Sequence, residues 1–391
     1  MSPQRALLAL LILVLAAATA AATAAVAQAD GQAPAAAAPQ GSLAVLDVPA
    51  PSLAASTLGM PAAERAVVYL PPSYDAQADR RYPVVYYLPG FADQIVLYAF
   101  VPYYQGFLLQ EAMDRLIAGG EIGEMIVVIP NGLTPLGGSF YVNSPVNGNW
   151  EDFIARDLVG YVDAAFRTVA APQARAIAGH SMGGFGAFNL ALRHPDTFGA
   201  VYALSPGLAA PGGLETHPAF ANDDVRGQVR DFLDGAEARS ACESRAALLA
   251  RASYWNQIFD TLPLFALAYG AAFAPAAGGA GPDYPFRRQG TGFAKDPAAW
   301  AKFEQGFGGW DQKIPQNLDN LRQLSVITID VGENDEHAWI PAGCRHVSGL
   351  LTKAGVANQL VVHPGGHEDR LRERLETALF PALSRWFAGQ R

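Results

Sequence analysis

The sequence predicts a doubly wound α/β fold: a mostly parallel sheet flanked by helices, with one long helical insertion ahead of a late strand. Two observations carry this. Short apolar runs, many rich in β-branched and aromatic residues, recur along the chain, as strands buried on both faces do. Amphipathic stretches at helical spacing lie between them, so strands and helices alternate.

Ala66–Leu70 is the first run, stopped by Pro71-Pro72. Tyr82–Leu88 follows and closes at Pro89-Gly90, and Met125–Ile129 closes at Pro130-Asn131-Gly132. Ala176–Ala178, Ala200–Leu204, Val326–Val331 and Leu360–Val362 complete the set. Helices are predicted for Phe107–Ala118, Trp150–Val169, Met182–Arg193, Ala342–Lys353 and Glu368–Phe387. In the second of these, Ile154, Leu158, Val162 and Phe166 recur every fourth residue as one apolar face. From Gly207 to about Gln323 the alternation breaks. That block is mostly helical and rich in Ala, Phe and Trp, and it lies between two strands, so it is read as an insertion.

The chain has 391 residues, 51% of them hydrophobic and 16% charged, enough to bury a large core in one catalytic domain over 43–391. The net charge is −9, and no Lys/Arg run interleaves with aromatics, which argues against nucleic acid as a partner. Residues 1–29 read as an export signal: Arg5, the apolar Leu7–Leu15, then Ala27-Gln28-Ala29 as a cleavage site before Asp30. The expected destination is secreted or periplasmic. An uncleaved anchor over Ala6–Ala27 is the alternative, since that stretch is long enough to span a bilayer. Residues 30–42, mostly Ala, Pro, Gln and Gly, read as a disordered linker. Cys242 and Cys344 are the two cysteines, either one disulfide or two buried thiols. His363 and His367 are four apart, but a Pro and two Gly between them exclude a helical zinc pair.

Gly179-His180-Ser181-Met182-Gly183 fits the G-x-S-x-G pattern, and its context makes it specific. A strand precedes it and a helix follows, so Ser181 falls on a tight strand-to-helix turn, with helix-start N–H groups and a positive dipole end aimed at it. A serine hydroxyl needs a base, most often a His held by a carboxylate, in the chain order Ser, acid, His. His367 follows the last strand in the loop Pro364-Gly365-Gly366, at the carboxyl end where an open α/β sheet places its chemistry. His363 is the rival, read as a packed strand end. His194 ends the helix after the nucleophile, His217 lies in the insertion, His346 on a helix, and His337 too early in the order. The acid belongs in Gly332-Glu333-Asn334-Asp335-Glu336; Asp335 is preferred, Glu333 and Glu336 are rivals, and Asp330 is still within the strand. The oxyanion hole takes the N–H of Met182 and that of Phe91, after Gly90.

Tyr82–Gly90, Trp150–Ile154, Gly179–Gly184 and Gly365-Gly366-His367 resemble the putative esterase family. Its members include esterase D (S-formylglutathione hydrolase), enterochelin esterases, feruloyl esterases and mycobacterial mycolyltransferases. The resemblance runs over roughly Ala63–Trp386 and implies an α/β-hydrolase fold with a Ser, acid, His triad. Ser181, Asp335 and His367 match its motif positions, Asp335 because the family's acid follows a Gly by three residues, and Phe91 and Met182 match its oxyanion donors. Many members carry His before the oxyanion Gly, where this chain has Pro89.

The expectation is a serine carboxylic-ester hydrolase working through an acyl-enzyme on a small-molecule or lipid-like ester. No metal or organic cofactor is implied, nor stable membrane insertion after cleavage. An acyltransferase to a sugar or lipid hydroxyl, and an inactive binding module, are the alternatives. Trp255, Phe259, Phe265, Tyr269, Phe273 and Trp310, with Tyr98, Tyr103 and Tyr104, form either an apolar lid or acyl pocket, or the insertion's own core.

Overall fold

The computed structural model describes residues 39–237, 261–277 and 281–390. The expected signal segment, most of the linker, Trp255, Phe259 and Cys242 lie outside the described residues.

Eight strands build one sheet: β1 (Ser42–Pro49), β2 (Ala63–Leu70), β3 (Val84–Leu88), β4 (Ile126–Pro130), β5 (Arg175–His180), β6 (Ala200–Leu204), β7 (Val326–Gly332) and β8 (Gln359–His363). Their order is β1-β2-β4-β3-β5-β6-β7-β8. β2 runs antiparallel to both of its neighbours, and every pair from β4 to β8 is parallel.

The predicted runs all appear as strands. β3, β4, β5 and β6 are buried along their whole length, the condition that makes parallel strands read as unbroken apolar runs. Arg175 enters β5 because its guanidinium pairs with Asp163, which lets a charged residue sit buried in a strand. β1 was not anticipated. It is an edge strand with mixed exposure, so it lacks the signature of a doubly buried one. It begins at Ser42, inside the expected linker, and Gly41 N–H already donates to Asp114 at 2.8 Å.

Side chains alternate between two cores. Val84, Tyr86, Leu88 and Ile177 face one; Val85, Tyr87, Ala176 and Ala178 face the other. The second core is closed by α1 (Leu109–Ala118) and by the C-terminal helical run from Leu371–Glu373 to Phe380–Gly389. The first is closed by a helical run over Trp150–Asp152, Phe153–Leu158 and Val159–Ala165, by α2 (Met182–Arg193), and by α3 (Trp339–Lys353). The run from Trp150 stops at Ala165, short of the predicted Val169, because Phe166 turns extended and Thr168 bridges to Tyr82. Glu151 ties its start to the far end of α2, accepting from both Arg193 and His194 at 2.8 Å.

The insertion joins the first core rather than forming its own. Phe140, on the body, packs against Phe265, Tyr269, Phe273 and Phe307 at ring separations of 5.4–5.5 Å. Tyr269 O–H donates to the Phe303 carbonyl and accepts from Phe307 N–H, and the Trp310 indole donates to the Phe307 carbonyl at 2.6 Å. Tyr269 and Trp310 are thus core, and the half-buried Phe273 packs against it.

Asp330, in β7, is buried and met by Arg374 from the C-terminal run. Arg374 Nε donates to Asp330 Oδ1 at 3.1 Å, and Nη2 donates to the Asp330 carbonyl at 3.0 Å and to Ser205 Oγ at 3.2 Å. Arg374→Ala leaves that buried carboxylate without its guanidinium, held by the Tyr202 hydroxyl at 3.0 Å, and is expected to lower unfolding free energy by about 3 kcal/mol. Urea denaturation measures it.

Candidate active site

β5 ends at His180, and Ser181 is the first residue beyond it. Its backbone takes φ 57° and ψ −115°, a region costly for a residue with a Cβ. The strain is held from three directions. Ser181 N–H donates to the Leu204 carbonyl at 2.9 Å, while the Ser181 carbonyl accepts from Phe185 N–H at 3.0 Å and Gly207 N–H at 3.2 Å. α2 starts at Met182, so its unused N–H groups surround the serine. The glycines are steric necessities here: a Cβ at Gly183 would land on the Leu88 carbonyl, and one at Gly179 on the Gly183 carbonyl.

His367 and Asp335 meet across the two loops that follow β7 and β8. His367 Nδ1 lies 2.7 Å from Asp335 Oδ2, both groups buried. Asp335 is held in turn by His337 N–H on Oδ1 at 2.8 Å. Glu336, one of the rivals, instead takes the His367 backbone N–H at 2.8 Å, and Glu333 is exposed. The His367 carbonyl accepts from His180 Nε2 at 3.0 Å, Ser205 Oγ at 3.3 Å and Arg374 Nη1 at 3.5 Å. The imidazole is therefore fixed at its ring, its N–H and its carbonyl. The two rings of His180 and His367 sit 4.8 Å apart, which puts His367 beside the end of the nucleophile strand. The rival His363 is the last residue of β8; its Nδ1 accepts from Gly365 N–H, and its Nε2 is 3.8 Å from Asp330. His194 caps α2 and bonds Glu151, and His346 bonds Asp311 at 3.0 Å.

Phe91 and Met182 N–H groups make no hydrogen bond to any described residue. The loop that presents Phe91 is anchored by a carboxylate that sequence reasoning passed over. Asp93 accepts from Gly90 N–H at 3.0 Å, Tyr98 O–H at 2.7 Å and Tyr104 O–H at 2.6 Å. Burial pushes the Asp93 carboxyl up, and the three donors pull it back. Tyr141 O–H donates to the Pro89 carbonyl at 2.9 Å. Tyr98 and Tyr104 thus brace this loop and are not lining a pocket, and Tyr103 is exposed.

Ser181 opens on a narrow cleft of about 40 Å³, lined by Phe91, Met182, His217, Phe265, Phe307, His337 and Trp339 among others. Of the aromatics named from sequence that lie among the described residues, Phe265 alone lines the cleft, while Phe307, Trp339 and His217 were missed as lining. Cys344 is buried and forms no disulfide with a described residue, Cys242 lying outside them. His217 is buried by the insertion and stacks on Phe265, and burial together with His337 pushes its imidazole down to about 3. Burial and the neighbouring His367 also hold His337 below its ordinary value, and burial does the same more strongly for His180.

These imidazoles set an acid limit. Between about pH 6.5 and 3 the unfolded chain takes up a proton that folded His217 refuses, so stability is full above that window and falls as pH drops through it. Urea midpoints should decline from pH 7 to 4, and His217→Phe should make that decline shallower.

Comparison with known proteins bears on the fold and the family. A ferulic acid esterase structure superposes with a TM-score of 0.54 at 22% identity, over 89% of this chain and 99% of that one. A fluorophosphonate-binding serine hydrolase, FphF of Staphylococcus aureus, gives 0.53 at 16% identity over the same shares. Both likenesses establish the α/β-hydrolase fold. The family model described as Putative esterase matches residues 60–370. The chain belongs to that family of ester hydrolases.

Proposed function

We propose that this protein is an exported serine carboxylic-ester hydrolase with Ser181 as nucleophile, His367 as general base and Asp335 as the carboxylate that orients it. The observation that carries the reading is the 2.7 Å bond between His367 Nδ1 and Asp335, formed beside a serine held at positive φ on a strand-to-helix turn. A carboxylate on Nδ1 fixes the tautomer that leaves Nε2 free to take a proton.

In the proposed reaction His367 Nε2 removes the hydroxyl proton as Ser181 Oγ attacks the ester carbonyl. The negative charge on the carbonyl oxygen is taken up by the N–H groups of Phe91 and Met182, each worth about 3–4 kcal/mol of barrier lowering. The tetrahedral intermediate collapses, His367 returns the proton to the departing alkoxide, and an acyl group remains on Ser181. Water, deprotonated by the same imidazole, attacks the acyl-enzyme and releases the acid. Asp335 stabilises the imidazolium formed in each half-reaction.

Export rests on the N-terminal pattern alone. Among the described residues no helix is long and apolar enough to cross a membrane. N-terminal sequencing of the protein recovered from outside the cytoplasm should begin at Asp30; a chain starting near Met1 would sink this part.

Ser181→Ala should abolish fluorophosphonate labelling and cut p-nitrophenyl acetate turnover by at least about 10³-fold. Asp335→Asn should harm turnover more than Glu336→Gln, and His363→Ala should leave it largely intact. Asp93→Asn, by letting the Phe91 N–H drift, should cost about 10²-fold with the fold retained by circular dichroism. Full turnover in Ser181→Ala would end the proposal.

A further inference from the structure

We propose that His217 and Trp339 form a hydrogen-bonding subsite in the cleft that selects short acyl groups bearing an acceptor oxygen on their chain. The proposal rests on the reading of Ser181 as nucleophile and names the class of acyl group it takes.

The geometry of His217 leaves one outcome for its proton. Its Nδ1 accepts the Ala219 backbone N–H at 3.0 Å, as the N-cap of the short helix Pro218–Ala221, so the ring proton is on Nε2. The neighbouring rings fix its plane, and the Ala219 N–H selects the face that presents Nδ1. The ring is stacked on Phe265, with centroids 4.5 Å apart and planes 9° apart, and packs against Phe220 and Trp339 at 5.5 and 5.6 Å. His337 lies with its ring parallel at 5.8 Å and makes no hydrogen bond to it. Nε2–H therefore has no acceptor among the described residues, yet His217 lines the cleft that opens on Ser181. Its low basicity keeps the group a neutral donor through the physiological range.

Trp339 repeats the anomaly. It lines the same cleft, is 6% exposed, and its indole N–H is buried with no partner among the described residues. The unspent His217 N–H in the cleft that holds the nucleophile, with the Trp339 N–H buried in the same aromatic wall, matches an acceptor that arrives with the substrate. Room is limited. By the measure in which one water needs about 10–15 Å³, the cleft of about 40 Å³ holds roughly three non-hydrogen atoms. An ether, hydroxyl or keto oxygen on a short acyl chain satisfies the donors within that space. A plain alkyl chain of equal length leaves them desolvated and unpaired.

Methoxyacetyl and butyryl groups differ in one chain atom, oxygen against CH₂, and so isolate the effect. The experiment compares kcat/KM for their p-nitrophenyl esters in the wild type, His217→Asn, His217→Phe and Trp339→Phe. Asn keeps an acceptor for the Ala219 N–H, and Phe keeps the stacked ring. The ratio of methoxyacetate to butyrate, which cancels intrinsic ester reactivity between variants, should fall about tenfold in both His217 variants and by less in Trp339→Phe. A ratio within twofold of wild type in all three, or equal losses on both esters, overturns the subsite while leaving Ser181 as nucleophile. Failure of the wild type to hydrolyse either ester, with Ser181 unlabelled, overturns the nucleophile assignment and the subsite with it.

Discussion

Everything near Ser181 depends on how closely three stretches of backbone approach one another. The end of β3, the end of β5 and the start of α2 meet where Gly179 and Gly183 stand, and neither position has room for a Cβ. That contact forces the turn between β5 and α2 into the positive-φ region at Ser181. It also brings the Phe91 N–H, just beyond β3, and the Met182 N–H, at the head of α2, to the same corner of the sheet. Strain of about 1–3 kcal/mol at such a residue persists only if its surroundings over-determine it. Here the bonds from Leu204, Phe185 and Gly207 to the Ser181 backbone do that.

The second loop system is organised around a charge. Arg374 joins the C-terminal helical run to Asp330, Ser205 and the His367 carbonyl, so helix, strand and histidine loop share one buried guanidinium. A Cβ at Gly332 would strike the Gly365 and Gly366 carbonyls, so the acid-bearing and histidine-bearing loops are in backbone contact. Asp335 and His367 are consequently fixed to each other through main chain as well as through their 2.7 Å bond.

The sheet was readable from sequence because burial on both faces writes itself as unbroken apolar runs, as in Val84–Leu88 and Ala200–Leu204. β1, half exposed at an edge, writes no such run. Ser181, Asp335 and His367 were nominated from loops whose order and glycine spacing are local features, and the structure brings the latter two into contact. Asp93 escaped notice because a single loop carboxylate normally meets solvent; only the fold supplies Tyr98 and Tyr104. The aromatics of the insertion were ambiguous for a related reason. Phe265 and Tyr269 are one helical turn apart and chemically alike, yet one lines the cleft and the other is core. His217 reaches the cleft across a long sequence separation from Ser181 that no motif records.

Pro89 precedes Gly90, and its carbonyl is clasped by the Tyr141 hydroxyl. A pyrrolidine ring locks φ and narrows the conformations open to the unfolded chain. The bend leading to Phe91 therefore loses little freedom when it is set. Proline itself carries no titratable proton, so the charge that this bend responds to is the buried Asp93 carboxylate on the Gly90 N–H.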